Sequence, residues 1–263
     1  MTTAALPRTA PSRTAPPAAR TAAVIPAAGR GVRLGPGAPK ALRALGGTPL
    51  LVHAVRAVAR AREVGLVVVV APPQAAAEVR HLLDAHPLPA APAAQGADVV
   101  VVPGGATRQE SVRRGLDALP GEVEIVLVHD AARPLVPADT VDAVAAAVRA
   151  GAPAVVPALP LTDTVKEVEP QAAGAPEPVI STPARARLRA VQTPQGFQRA
   201  VLAEAHAAFA GAGEGATDDA GMVERLGQPV VVVPGHEEAF KVTRPLDLVL
   251  AEAVLTRRRA DGY

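Results

Sequence analysis

The chain has 263 residues, 49% of them hydrophobic and 20% charged, which is enough to bury a full core and excludes a disordered chain overall. Cysteine is absent, excluding a disulfide framework, a thiolate nucleophile and cysteine-ligated zinc or iron–sulfur sites. The net charge of +2 is owed to the first 20 residues, which carry three arginines and no acid, so the body is not a basic nucleic-acid binder.

Residues 1–20, rich in Pro, Ala and Thr, have no apolar periodicity and no signal-peptide core. They read as a disordered extension, an organelle transit peptide being the alternative, and residues 21–263 as a single domain. Apolar runs such as "GLVVVVA" fall far short of the roughly 18 to 20 residues of a membrane span. A soluble, cytoplasmic protein that does not engage the membrane is the expectation.

From residue 21 onward, short β-branched runs alternate with amphipathic stretches. "TAAVIP" (21–26) reads as a buried strand entering a glycine-rich loop. Thr48-Pro49 reads as a helix opening, threonine as N-cap and proline at the first helical position. A strand over 65–71, a helix over 73–85 and a strand over 97–103 follow, the last two separated by a proline- and alanine-rich loop. Thr107 and Glu110 have capping-box spacing and predict a helix over 107–119. Then come a strand over 124–129, a helix over 138–150 and a strand over 152–158. Residues 159–188 break the rhythm with polar–apolar alternation around a Gly/Pro turn, predicting an inserted antiparallel arm. A helix over 198–210, a strand over 229–234 and a closing helix over 245–257 complete an α/β pattern with a mostly parallel sheet covered on both faces.

Chemistry concentrates after the first strand, in "PAAGRGVRLGPGAPK" (26–40). Glycines let backbone N–H groups cradle phosphate oxygens, and in an open parallel sheet this loop sits where ligands bind. It is not a Walker A loop, and Leu34 occupies the position where a dinucleotide fingerprint needs glycine. A tight structural turn is the competing reading; Arg33 and Lys40, two cations facing one turn, favour phosphate. In "VHDAARP" (128–134), Asp130 ends a strand, placed either beside a bound phosphate or as a cap of the next turn with Arg133 pairing to it. The six histidines show no metal-ligand spacing and read as surface or helix positions. "TDDA" (217–220) reads as a helix N-cap in preference to a metal site.

The glycine loop resembles the opening of nucleotidyltransferases that activate sugar or polyol phosphates. "VHDAARP" narrows the resemblance to the 2-C-methyl-D-erythritol 4-phosphate cytidylyltransferase family of the non-mevalonate isoprenoid pathway. "PGGATRQESVRRGL" (103–116), "LTDTVK" (161–166), "TPQGF" (193–197), "TDDA" and "FKVTRPLDL" (240–248) extend it in order over residues 21–257.

The resemblance implies a Rossmann-like nucleotidyltransferase fold and transfer of a cytidylyl group from CTP to 2-C-methyl-D-erythritol 4-phosphate with Mg²⁺. It places Arg33 and Lys40 at the triphosphate, and Ala27, Ala28, Gly29, Gly105, Ala106, Ser111 and Ala131 around the cytidine. The acceptor falls to Asp130, Thr164, Arg185 and Lys241. No protein metal ligand is implied, the Mg²⁺ being held mainly by phosphate oxygens. The family's arm implies a homodimer in which Thr164 and Arg185 serve the neighbouring active site. Val32 and Ala106 depart from residues some members carry, an arginine and an acid. The alternatives are a ribitol 5-phosphate cytidylyltransferase and, from another class, a silent nucleotide-binding protein.

Only three of the 27 basic side chains are lysines, Lys40, Lys166 and Lys241, and each falls in a family motif. An ammonium is a compact point charge where a guanidinium is a broad fork, so arginine at Lys40 or Lys241 is expected to impair turnover and at Lys166, on the arm, to have a milder effect.

Overall fold

The computed structural model describes residues 21–28, 39–88, 96–210 and 218–261. Gly29, Val32, Arg33 and the N-terminal extension lie outside the described residues.

The chain opens with β1 (Thr21–Pro26), β2 (Ala44–Leu45) and β3 (Thr48–Pro49), then α1 (Leu50–Ala59), β4 (Leu66–Ala71) and α2 (Ala76–Asp84). β5 (Asp98–Pro103), α3 (Arg108–Asp117), β6 (Ile125–Val128), α4 (Ala138–Arg149) and β7 (Ala154–Pro160) continue the alternation. The arm carries β8 (Glu167–Val168) and β9 (Val179–Ser181), and β10 (Arg189–Val191) and β11 (Gln195–Gln198) return to the sheet. α5 (Arg199–Ala208), α6 (Asp219–Arg225), β12 (Val230–Pro234) and α7 (Pro245–Ala260) close the fold.

The main sheet runs β10–β7–β11–β6–β1–β4–β5, with β12 also paired to β7. β1, β4, β5 and β6 are mutually parallel, and β12 is parallel to β7. β10 and β11 are two pieces of one antiparallel run along β7, joined where the Gln192 N–H donates to Pro157 O at 2.8 Å.

Strand alternation explains why both faces are covered. In β1, Ala23 and Ile25 face one core with α1 and α4, while Ala22 and Val24 face the other with α3, α5 and α6. Val67 and Val69 against Val68 and Val70 repeat the division in β4. Gly115 lets α3 lie against β1, since a Cβ there would come within 2.4 Å of Val24 Cγ1. A third, smaller core of Leu45, Leu50, Leu135, Val242 and Ala251 seats α7.

Two expectations need correction. Thr48 does not cap α1: Gly46 and Gly47, with φ of 56° and 81°, form a two-residue hairpin turn that draws Thr48-Pro49 into pairing with Ala44-Leu45. The helix begins at Leu50, whose N–H donates to Arg43 O at 2.8 Å. The second concerns "TPQGF", which the sequence pattern leaves without a strand. Its Gln195–Gln198 is β11, wedged between β6 and β7, with Gly196 so close to α4 that a Cβ would meet Val144 Cγ1 at 2.6 Å.

Among the described residues no helix is long and apolar enough to cross a membrane.

Candidate active site

The carboxyl ends of β1, β5 and β6 open into a pocket of about 480 Å³. Cross-strand hydrogen bonds continue past the strand ends and fix its rim: Ala27 N–H to Val70 O at 2.8 Å, Gly104 N–H to Ala71 O at 2.7 Å, and His129 N–H to Val24 O at 2.9 Å. Ala27, Ala28, Lys40, Gly105, Ala106, Ser111, Asp130, Ala131 and Lys241, gathered from four separate motifs, all line it. Thr164 and Arg185 do not; both are exposed on the arm, where Arg185 Nη1 donates to Thr162 O. Gly29 and Arg33 lie outside the described residues.

Lys40 enters the pocket from a short 3-10 turn, Lys40–Leu42, anchored by the buried Ala41. Lys241 comes from a separate segment, tied to the β6 loop by the Val242 N–H donating to Ala132 O at 2.8 Å. Its Nζ lies 2.7 Å from Asp130 Oδ2. Burial alone would raise the Asp130 carboxyl, but Lys241, Arg108 and Arg133 outweigh it and hold the group at about 2. Asp130 is therefore fully ionised at neutral pH and is the sole acidic side chain lining this pocket among the described residues.

Thr107 caps α3 as its spacing predicts, accepting from the Glu110 N–H at 3.1 Å. Glu110, however, reaches one residue further back than a capping box requires and accepts from the Ala106 N–H at 2.8 Å. Ser111 Oγ accepts from the Gly105 N–H at 3.1 Å and donates to Thr107 O at 2.9 Å. Gly105 is held by this close return: a Cβ would come within 2.2 Å of Glu110 Cδ. The result is a rigid backbone ledge along one side of the pocket.

Sequence reasoning missed Arg108, the first residue of α3. Its guanidinium faces the pocket with Nη2 3.9 Å from Asp130 Oδ1, and Nη1 lies 2.8 Å from Asp219 Oδ2. Asp219 is fully buried behind it and accepts from His206 Nε2 at 3.0 Å, so a carboxylate inside the protein holds a cation at the pocket wall. Burial would raise the Asp219 carboxyl, but Arg108 and His206 keep it below the usual carboxylate range. "TDDA" therefore does two jobs. Asp218 is the N-cap of α6, accepting from the Gly221 N–H at 2.9 Å, and Asp219 is the counter-ion of Arg108.

The histidine expectation also needs correction, because His129 is fully buried directly before Asp130. Burial lowers it to about 4, with Asp130 and the Arg133 carbonyl only partly offsetting the loss of water. The neutral ring donates from Nε2 to Arg133 O at 3.1 Å, and Nδ1 accepts from Thr193 Oγ at 3.1 Å. Thr193 Oγ in turn accepts from the Asp130 N–H at 3.0 Å. Arg133 does not pair with Asp130 as a surface bridge; it donates to Ala239 O at 2.6 Å and Val191 O at 3.2 Å, clamping the Asp130 loop to the Lys241 segment and β10.

This chain of bonds has a pH signature. Between pH 6.5 and about 4 the unfolded chain takes up a proton at His129 that the folded chain refuses, so stability falls with pH, by about 3 kcal/mol in all. His129→Gln, which keeps one donor and one acceptor but does not titrate, removes that part of the slope. Urea denaturation at pH 7.5 and pH 4 reads the difference; equal losses in both proteins would rule out His129 as its source.

A pocket at the carboxyl ends of the parallel strands, walled by three cations from separate elements, is the arrangement of a nucleotidyltransferase on a Rossmann-like fold. The family is shown by comparison. Residues 21–257 match the model for 2-C-methyl-D-erythritol 4-phosphate cytidylyltransferase, and the chain belongs to that family.

Proteins of that name from Streptomyces coelicolor and Streptomyces avermitilis are each 72% identical to it, over 93% and 96% of this chain and 88% and 98% of their own lengths. The crystal structure of the Thermus thermophilus enzyme superposes with a TM-score of 0.66 at 40% identity, covering 89% of this chain and 97% of that one. The 4-diphosphocytidyl-2C-methyl-D-erythritol synthase of Anaerococcus prevotii gives 0.74 at 26% identity, over 90% and 96%.

Proposed function

We propose that the chain transfers the cytidylyl group of CTP to 2-C-methyl-D-erythritol 4-phosphate, releasing pyrophosphate, and that Lys40, Arg108 and Lys241 are the cations that make this possible. The acceptor's phosphate oxygen attacks the α-phosphorus in line, and the bond to the pyrophosphate oxygen breaks. A phosphate monoester dianion is already nucleophilic, so no general base is needed. What the protein supplies is position and compensating charge. The observation that carries this reading is the placement of the three cations around one pocket, two of them already oriented by buried or half-buried carboxylates.

Lys40, with Arg33 of the glycine loop, serves the triphosphate. Ala27, Ala28, Gly29, Gly105, Ala106, Ser111 and Ala131 shape the cytidine pocket. Lys241, positioned by Asp130, holds the acceptor phosphate. Lys241→Arg should lower turnover by on the order of tenfold despite keeping the charge: a guanidinium can still pair with Asp130, but its broad planar fork does not put the charge where the compact ammonium does. Lys166, which donates to Thr182 Oγ1 at 2.7 Å on the arm, should tolerate arginine better. Steady-state kinetics of the two variants makes the comparison.

Among the described residues no group of three or more His, Asp or Glu side chains could hold a metal ion. Asp130, the one carboxylate lining this pocket among the described residues, is engaged by Lys241, so a Mg²⁺ would be brought in on the nucleotide. When bound, that ion neutralises charge on the triphosphate.

The arm supports a homodimer. β8 and β9 form only a two-stranded pair, and Val179 and Ile180 are 57% and 62% exposed, a poor arrangement for an isolated hairpin. Thr164 and Arg185 then act on the partner's acceptor. Mixing Lys40→Ala chains with Arg185→Ala chains should recover activity that neither has alone; no recovery after subunit exchange would put both residues in cis.

The acceptor is tested by pyrophosphate release with CTP and Mg²⁺, comparing 2-C-methyl-D-erythritol 4-phosphate with ribitol 5-phosphate. Faster release with the first is expected. Preference for ribitol 5-phosphate would reassign the substrate, and release with neither would leave a nucleotide binder.

A further inference from the structure

A second cavity, of about 840 Å³, opens where the C-terminal ends of α1 and α7 meet, and it shares no lining residue with the active-site pocket. Five arginines face it: Arg56 and Arg60 from the end of α1, and Arg257, Arg258 and Arg259 from the last turn of α7. Glu238 takes up Arg257 and Arg258, the latter also donating to Leu135 O at 2.6 Å. Arg56, Arg60 and Arg259 form no ion pair among the described residues, and the other acids at the rim, Asp139 and Asp261, do not reach them.

Their placement is constrained. Arg56 Nη2 donates to Pro87 O at 3.3 Å while its Nε is buried without a hydrogen-bond partner. Arg259 lies over the Gly46 turn, its Nη2 3.3 Å from where a Cβ would stand. Like charges face one another across the gap: burial lowers Arg60, with Arg258 and Arg56 adding to it, and burial lowers His53, with Arg56, Arg259 and Arg60 adding. Helix C-termini favour cations through the helix dipole. That accounts for arginines at either helix end, but not for the two ends converging on one open cavity with three guanidiniums unpaired.

We propose that this cleft binds a small soluble anion carrying at least two phosphate groups, as a site separate from the active site. Guanidinium forks match phosphate oxygens two at a time, and the charge of three unpaired forks exceeds the roughly −1.5 to −2 that a single phosphate carries at neutral pH. The volume is that of a small-molecule site. Two of its walls, 134–139 and 236–238, are the direct continuations of the segments that carry Asp130 and Lys241, so the cleft sits immediately behind the acceptor side.

Inorganic pyrophosphate is the probe, titrated by calorimetry without metal at 0.15 M salt. It also binds the active site as a product, so the wild type should take up two per chain. Arg60→Ala/Arg259→Ala, two exposed positions, should lose one of the two or weaken it at least tenfold, while Lys40→Ala keeps it. Arg62→Ala/Arg113→Ala removes the same charge elsewhere on the surface and should still bind two. The cleft is not a site if the wild type binds one pyrophosphate that Lys40→Ala abolishes, or if the Arg62/Arg113 control loses as much binding as the cleft variant. Either result leaves the cytidylyl-transfer reading untouched, since that reading fails only with the acceptor assay.

Discussion

Lys40→Ala lowers turnover by about three powers of ten, or about 4 kcal/mol of transition-state stabilisation. Lys40 lines the pocket from a turn whose only buried member is Ala41, so truncating its side chain removes charge without opening the core. Stability should therefore change by no more than about 0.5 kcal/mol. The kinetic form of the loss is informative. If Lys40 meets charge that develops on the α-phosphoryl group and the departing pyrophosphate, kcat and kcat/KM fall together and the KM for CTP stays near its starting value. A rise in that KM with kcat intact would make Lys40 a uniform binding residue. Lys40→Arg, which keeps the charge but broadens it, should fall between the two.

The second large effect is structural in origin. Asp219→Asn keeps the volume but leaves Arg108 without the carboxylate 2.8 Å away, and an amide cannot accept from both Arg108 and His206. Removing one member of a buried ionic group typically costs about 3–5 kcal/mol, because the remaining charge is left without compensation. Of its ion-pair partners among the described residues, Arg108 would then keep Asp130 alone, at 3.9 Å. We expect urea denaturation to show a loss of about 3 kcal/mol and the KM for CTP to rise in the same variant. Stability within about 0.5 kcal/mol of wild type would show that Asp219 does not carry the Arg108 charge.

Much of the site could be read in advance because its residues sit where local rules are strong. Asp130 follows a continuous apolar strand and precedes two small residues, a pattern that fixes both its strand end and its exposure to a crevice. Thr107 and Glu110 announce a helix start, and the ledge of Gly105, Ala106 and Ser111 follows from that start. The alternation of β1 and β4 between two cores is visible in their unbroken aliphatic runs. Arg108 escaped notice for the opposite reason. Arginine is so common in this chain that one more at a helix start carries no local signal, and its importance comes from Asp219, over a hundred residues away.

Asp219 is itself hidden by the rule that serves Asp218. Both stand at the start of α6, where an acid normally faces water and the helix dipole, and nothing local shows that the second turns inward. His129 belongs to the same class, since the partner that satisfies its buried ring is Thr193, in the bend between β10 and β11. β11 is short, contains a glycine and two glutamines, and is a strand only because β6 and β7 leave a gap it can fill. At Gly46-Gly47 a local signal was present, a two-glycine hairpin turn, and the Thr-Pro helix start competed with it and lost.

Following the α-phosphorus tests the central claim most directly. With CTP labelled at that atom, Mg²⁺ and 2-C-methyl-D-erythritol 4-phosphate, the label should appear in a cytidine diphosphate ester of the acceptor, with unlabelled pyrophosphate released in equal amount. Lys40→Ala should slow both in parallel. Label recovered as free CMP, or CTP left intact by the wild-type protein, would contradict nucleotidyl transfer at this pocket.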